Sequence, residues 1–235
     1  MKARAVIFDM DGLLIDSERV MLECWRATAA EQSLALDDTL WLSMVGLHDA
    51  GCADLLDRLL GAEQAERLTF ECKRRYDLVM QHGLPLKAGV RELLQDLSGL
   101  GVPMAVATST RGERARIKLS RSGIDGYFSH VITSSDVAHP KPAPDLYLLA
   151  AERLGIPPRE CVALEDSEYG VRAASAAGLR VIQVPDLVPA TDLARSLATV
   201  VESLPLARSA LGAWLQVALQ EESETTQERR KSRSA

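Results

Sequence analysis

From Gly89 onward the chain alternates helical stripes with short apolar runs, and few architectures tolerate that alternation. Val90, Leu93, Leu94 and Leu97 recur at helical spacing and stop near Gly101, where the strand-like run Val102 to Ala107 begins. Tyr127 to Thr133 holds another short strand, and Asp145 to Leu154 reads as a helix stopped at Gly155. Cys161 to Leu164 is a strand, Tyr169 to Ala177 a helix stopped at Gly178, and Arg180 to Val184 a strand. Strands separated by helices pair in parallel, with helices on both faces of the sheet. One more strand, Ala5-Val6-Ile7-Phe8, stands far upstream. Between it and Gly89 lie three helical stripes and no convincing strand. They are Val20, Cys24 and Ala27; Cys52, Leu55, Leu56, Leu59 and Leu60 before Gly61; and Ala65, Leu68, Cys72 and Val79 before Gly83. The expectation is an α/β fold. A Rossmann-like parallel-sheet core occupies residues 1–15 and 85–218, an all-helical insert occupies 16–84, and a charged, disordered tail occupies 219–235.

Composition narrows the function. Hydrophobic residues make up 47% and charged residues 26%, the balance of an ordinary globular protein. A net charge of −6 predicts no global attraction to nucleic acid or anionic membrane, so an anionic substrate needs a local positive centre. Cys24, Cys52, Cys72 and Cys161 form no C-x-x-C pair and read as reduced thiols, not as a disulfide frame or zinc site. No run approaches the ~18 apolar residues of a membrane span, and no signal-peptide h-region opens the chain. A cytoplasmic protein is expected, with no nucleic-acid, membrane or obligate protein partner.

Four short segments carry chemistry. Asp9-Met10-Asp11-Gly12 follows the first strand. In extended backbone, residues two apart face the same way, so both carboxylates converge. At about 4 Å they repel by roughly 4 kcal/mol at an effective dielectric near 20, and such a pair calls for a cation or a proton. Alternatively, the segment is a polar turn made by Gly12. Thr108-Ser109-Thr110 ends the second strand, where hydroxyls and N–H groups can hold a phosphate oxygen. Thr110 with Glu113 also resembles a helix capping box. Lys141 stands in His139-Pro140-Lys141-Pro142-Ala143-Pro144, whose prolines favour a stiff, extended backbone that pre-positions the ammonium. Glu165-Asp166 follow the strand Cys161 to Leu164. With Ser167 they can cap a helix, or they can join Asp9 and Asp11 around a hard divalent cation, for which Mg²⁺ suits best.

In order and spacing this set resembles the haloacid dehalogenase-like phosphatase superfamily. Phe8 to Glu18 is similar to its first motif, Thr108 to its second, Lys141 in Lys-Pro-x-Pro to its third, and Leu164-Glu165-Asp166-Ser167 to its fourth. The likeness covers roughly residues 4 to 205, and the insert resembles the helical cap of the β-phosphoglucomutase-like branch.

The resemblance implies Asp9 as nucleophile, Asp11 as acid and base, and Mg²⁺ held by Asp9, the Asp11 carbonyl, Glu165 and Asp166. It also implies Thr108 and Lys141 as catalytic partners and Gly12, Ser109 and Thr110 as phosphate contacts. The cap loop Val45-Gly46-Leu47-His48 would present Gly46 and His48 to a small phosphorylated sugar or polyol. Departures from the mutase pattern favour transfer to water: Leu47-His48-Asp49-Ala50 stands where a mutase carries an arginine, and Val20-Met21 where it carries a histidine. The rivals are a sugar-phosphate mutase and, from another class, a phospho-accepting signalling domain.

Overall fold

A computed structural model describes residues 2–44 and 49–215. Its sheet has six parallel strands, β1 (Ala5–Phe8), β2 (Met104–Thr108), β3 (His130–Thr133), β4 (Cys161–Glu165), β5 (Arg180–Gln183) and β6 (Thr199–Val200), in the order β3-β2-β1-β4-β5-β6. Four helices lie between β1 and the rest of the sheet: α1 (Ser17–Glu31), α2 (Asp38–Met44), α3 (Asp49–Leu60) and α4 (Ala62–His82). The remaining helices are α5 (Val90–Gly99), α6 (Gly112–Arg121), α7 (Asp145–Leu154), α8 (Glu168–Ala176), α9 (Asp192–Leu197) and α10 (Leu204–Leu215).

The two-residue period of the strands divides the interior. Val6, Phe8, Met104, Val106, Val162 and Leu164 face one side, with buried residues of α5, α6, α10 and the four inserted helices. Ala5, Ile7, Ala105, Ala107, Cys161 and Ala163 face the other, against α7, α8 and Ala194 of α9. The small residues of the second set let α7 and α8 lie close to the sheet. On the first side Phe8 meets the edge of Phe128 at 5.9 Å between ring centroids, a geometry that adds about 1 kcal/mol to simple burial. Trp25 and Trp41 stack at 5.5 Å and join α1 to α2.

Two local expectations shift. The second strand begins at Met104, not Val102, because the Val102 N–H bonds Leu97 O to finish α5 and Pro103 has no N–H to offer the ladder. The proline segment is a turn, not an extended run: the Ala143 N–H donates to Pro140 O at 3.0 Å. No disulfide joins the four cysteines.

The strand order reverses at β1, which pairs β2 on one side and β4 on the other. The carboxyl ends of these three strands open into the crevice where α/β sheets bind ligands. Asp9, Thr108 and Glu165 stand at those ends.

Candidate active site

The strand conformation of β1 stops at Phe8, and the chain then folds into a tight turn. The Leu14 and Ile15 N–H groups both donate to Met10 O, and the Gly12 N–H donates to Ile15 O. Met10, Leu13, Leu14 and Ile15 are buried beneath it. Above this turn the two carboxylates meet different lysines, Asp9 Lys141 and Asp11 Lys118.

Asp9 is buried, and its Oδ1 accepts from Lys141 Nζ at 2.5 Å. The same ammonium donates to Glu165 Oε1 at 2.5 Å, while Tyr147 Oη donates to that oxygen at 2.6 Å. The other Glu165 oxygen accepts from the N–H groups of Asp166 and Ser167 and from the Ser167 hydroxyl. Lys141 is thus held by a fully buried, fully engaged acid. Asp9, Glu165 and Asp166 each bring an oxygen within 4.8 Å of the others, a grouping that fits one small hard cation. Burial pushes the Asp9 carboxyl up to about 8 against the attraction of Lys141, with Glu165 adding to the rise. Burial, then Asp9 and Glu165, likewise lifts Asp166 well above the usual carboxylate range. Acids so displaced are what a divalent ion would return to the charged form.

Asp11 is arranged otherwise. Its Oδ1 accepts from Ser17 Oγ at 2.7 Å and Lys118 Nζ at 2.6 Å, and its Oδ2 from Thr110 Oγ1 at 2.6 Å. Burial works to raise this carboxyl, but Lys118 and the two hydroxyls outweigh it and hold the group below its ordinary value. Thr110 therefore does not cap α6, whose N-cap is Arg111 with no side-chain bond. Nor does Asp16 cap α1 with its side chain; it pairs instead with Arg19 and Lys87. Ser167 does cap α8, accepting from the Gly170 N–H at 3.1 Å.

Two glycines permit the close approach. Gly12 has φ +82°, and a Cβ there would lie 2.3 Å from Asp166 Oδ2. A Cβ on Gly170 would sit 1.7 Å from Glu165 Oε1.

Of the residues singled out in the sequence, Asp9, Lys141, Glu165, Asp166 and Gly12 come together here, and Asp11 is joined to Thr110. Thr108 is buried beside them, its Oγ1 accepting from the Thr110 N–H at 3.0 Å, while Ser109 is exposed. Gly46 and His48 lie outside the described residues, as does the tail over 219–235. Arg74 and Arg75 of α4 pair with Glu71 and Glu31 at the surface. Sequence reasoning missed Lys118, Tyr147 and Tyr76. The first two carry a legible signal: Lys118 falls on the buried stripe with Ala115 and Leu119, and Tyr147 on that with Leu146, Ala150 and Ala151.

Residues 3–178 match the family profile described as haloacid dehalogenase-like hydrolase. The chain is 33% identical over 176 residues to a phosphorylated carbohydrates phosphatase of Thermotoga maritima, covering 74% of this chain and 82% of that protein. It is 32% identical over 188 residues to a fructose-1-phosphate phosphatase of Escherichia coli, covering 76% and 95%. A solved hydrolase of the same family from Deinococcus radiodurans, holding phosphate and sodium, superposes with a TM-score of 0.79 at 30% identity, covering 92% of this chain and 99% of that one.

Proposed function

Because the chain belongs to the haloacid dehalogenase-like hydrolases, we propose that it is a Mg²⁺-dependent phosphomonoesterase acting on a small sugar or polyol phosphate through an aspartyl-phosphate on Asp9. The observation that carries this reading is the separate environments of Asp9 and Asp11. Asp9 faces Lys141 and the acids that can hold a cation, the place of a nucleophile, while Asp11 is hydrogen-bonded by Ser17, Thr110 and Lys118, the place of a group that hands on a proton.

Asp9 attacks phosphorus, and the bond from phosphorus to the leaving oxygen breaks as the new Asp9–phosphorus bond forms. An anionic phosphate arriving beside Asp11 favours its protonated form, from which it gives a proton to the leaving oxygen. It then takes one from the water that hydrolyses the aspartyl-phosphate. Lys141 screens Asp9 from the incoming anion, and Glu165 with Tyr147 holds Lys141 in place. Thr108 and the N–H of Ser109 receive the phosphoryl oxygens at the end of β2, with Gly12 and Thr110 beside them. Asp9, Asp166, Glu165 and the Asp11 carbonyl would hold Mg²⁺, whose charge would offset that of the phosphoryl group.

Helices α1–α4 act as a cap. The two connections to it run side by side, with the Asp16 N–H on Pro85 O and the Lys87 N–H on Leu14 O, and hinges fall at Asp16-Ser17 and 84–89. The relatives named above act on phosphorylated carbohydrates, which supports a substrate of that class.

Phosphate release from a panel of sugar, polyol and glycolate phosphates, with Mg²⁺ and with EDTA, tests the reading, with Asp9→Asn as the blank. Release that needs Mg²⁺ and vanishes in Asp9→Asn is expected. Turnover that survives in the variant, or that occurs only with a bisphosphorylated activator and without net phosphate release, overturns it.

A further inference from the structure

Lys118 is a buried ammonium on a helix face otherwise given to packing. Its side chain is 8% exposed, and Ala115 and Leu119 sink into the core beside it. Placing an ammonium there costs several kcal/mol, and an apolar residue would serve stability as well or better, so the ion pair with Asp11 is not explained by stability. Its surroundings come from both parts of the molecule. Asp11 and Thr110 belong to the core, while Ser17 and Glu18 begin α1 and Tyr76 lies on α4. The Lys118 ammonium lies 5.5 Å from the Tyr76 ring centroid. One turn earlier on α6, Arg114 pairs with Asp77 of α4 at 2.8 Å.

We infer that Lys118 is a positioning residue for Asp11: braced by Tyr76 of the helical insert, its ammonium turns and holds the Asp11 carboxyl toward the leaving oxygen. The inference rests on the reading of Asp11 as the acid. Three donors fix the group: Ser17 and Lys118 take Oδ1, and Thr110 takes Oδ2. Only the lysine donor carries charge, and it is braced from the insert. When the proton passes from Asp11 to the leaving oxygen, the carboxylate left behind stays paired with Lys118. Seating of the insert is thereby linked to proton delivery without any insert residue touching phosphorus.

The test compares kcat/KM on a poor leaving group, glycerol phosphate, with that on a good one, p-nitrophenyl phosphate, because only the former needs a proton as the bond breaks. Lys118→Met is expected to lower kcat/KM on glycerol phosphate by about 100-fold and on the aryl ester by less than about tenfold. Tyr76→Leu, which removes the ring over the ammonium, should show the same selectivity at a few-fold, through kcat and not KM. Arg74→Ala, which removes an outward ion pair on the same helix as Tyr76, should show no selectivity. Asp11→Asn run in parallel separates the two claims. If it is selective and Lys118→Met is not, Lys118 has no positioning role. If Asp11→Asn itself is unselective, the acid reading fails and the inference with it. A rise in KM alone in Lys118→Met would make the lysine a substrate ligand and overturn the inference. Should Lys118→Met not fold, Lys118→Gln, which keeps a neutral donor, gives the same comparison.

Discussion

Asp9 and Asp11 stand two residues apart, and their surroundings treat them in opposite ways. Asp9 sits among acids and shares its lysine with Glu165; Asp11 has a lysine to itself and two hydroxyls besides. Burial is the first influence on both, yet it prevails at Asp9 and is overcome at Asp11. The difference shows that a buried carboxylate's charge state follows from the donors aimed at it, not from its place in a motif. Asp9 is kept short of positive charge, which leaves room for a cation and for phosphorus. Asp11 is already satisfied by three donors.

The sharpest way to break this contrast is to neutralise each acid. Asp9→Asn is expected to lower turnover by about 10⁴-fold or more, since no nucleophile remains. Asp11→Asn should cost about 10²–10⁴-fold on alkyl phosphates, the range of general acid–base catalysis, measured as kcat/KM. Glu165→Gln, which leaves the lysine held but lowers the charge around it, should cost about 10–100-fold in activity or in Mg²⁺ affinity, read from a metal titration.

Stability gives the smallest effects and the opposite signs. In EDTA, Asp9→Asn should raise the thermal midpoint at pH 8–9 and not at pH 4. The folded-state pKa of Asp9 lies above its unfolded value, so its charge opposes folding increasingly from about pH 4 to about 8 and fully beyond. Asp11→Ala should lower the midpoint near neutrality by leaving Lys118 buried and unpaired, a loss of about 3 kcal/mol. The Asp11 carboxyl is held down in the folded state. Its own contribution is therefore present above the unfolded pKa and is lost as pH falls through the folded one. Thermal unfolding of the two variants across pH checks both signs; shifts in the same direction would erase the contrast.

The strand–helix alternation placed β1, β4, α7 and α8 nearly to the residue, because apolar period and glycine stops are local signals. The same holds for Ser167, whose capping role needs only its own helix. What escaped is what depends on distant partners. Thr110 beside Glu113 has a capping box's spelling, yet its hydroxyl turns to Asp11, a carboxylate 99 positions away in the chain. Lys118 could be noticed as a charge on an apolar stripe, but nothing within α6 says that Asp11 is its partner. Helix α2 carried no stripe long enough to read, and it is held by the stacking of Trp41 on Trp25.

The paired connections of the insert have a modular consequence. Ile15 and Leu86 face each other as an antiparallel bridge, so the chain leaves the core and returns to it through neighbouring residues. A tight turn could join them, and a foreign helical segment could be spliced at the same seam without disturbing the order of strands around Asp9. Specificity would then be exchangeable as a cassette. The graft would carry two obligations, a hydroxyl in the place of Ser17 and an aromatic ring over Lys118, and chimeras with and without each would show how portable that cassette is.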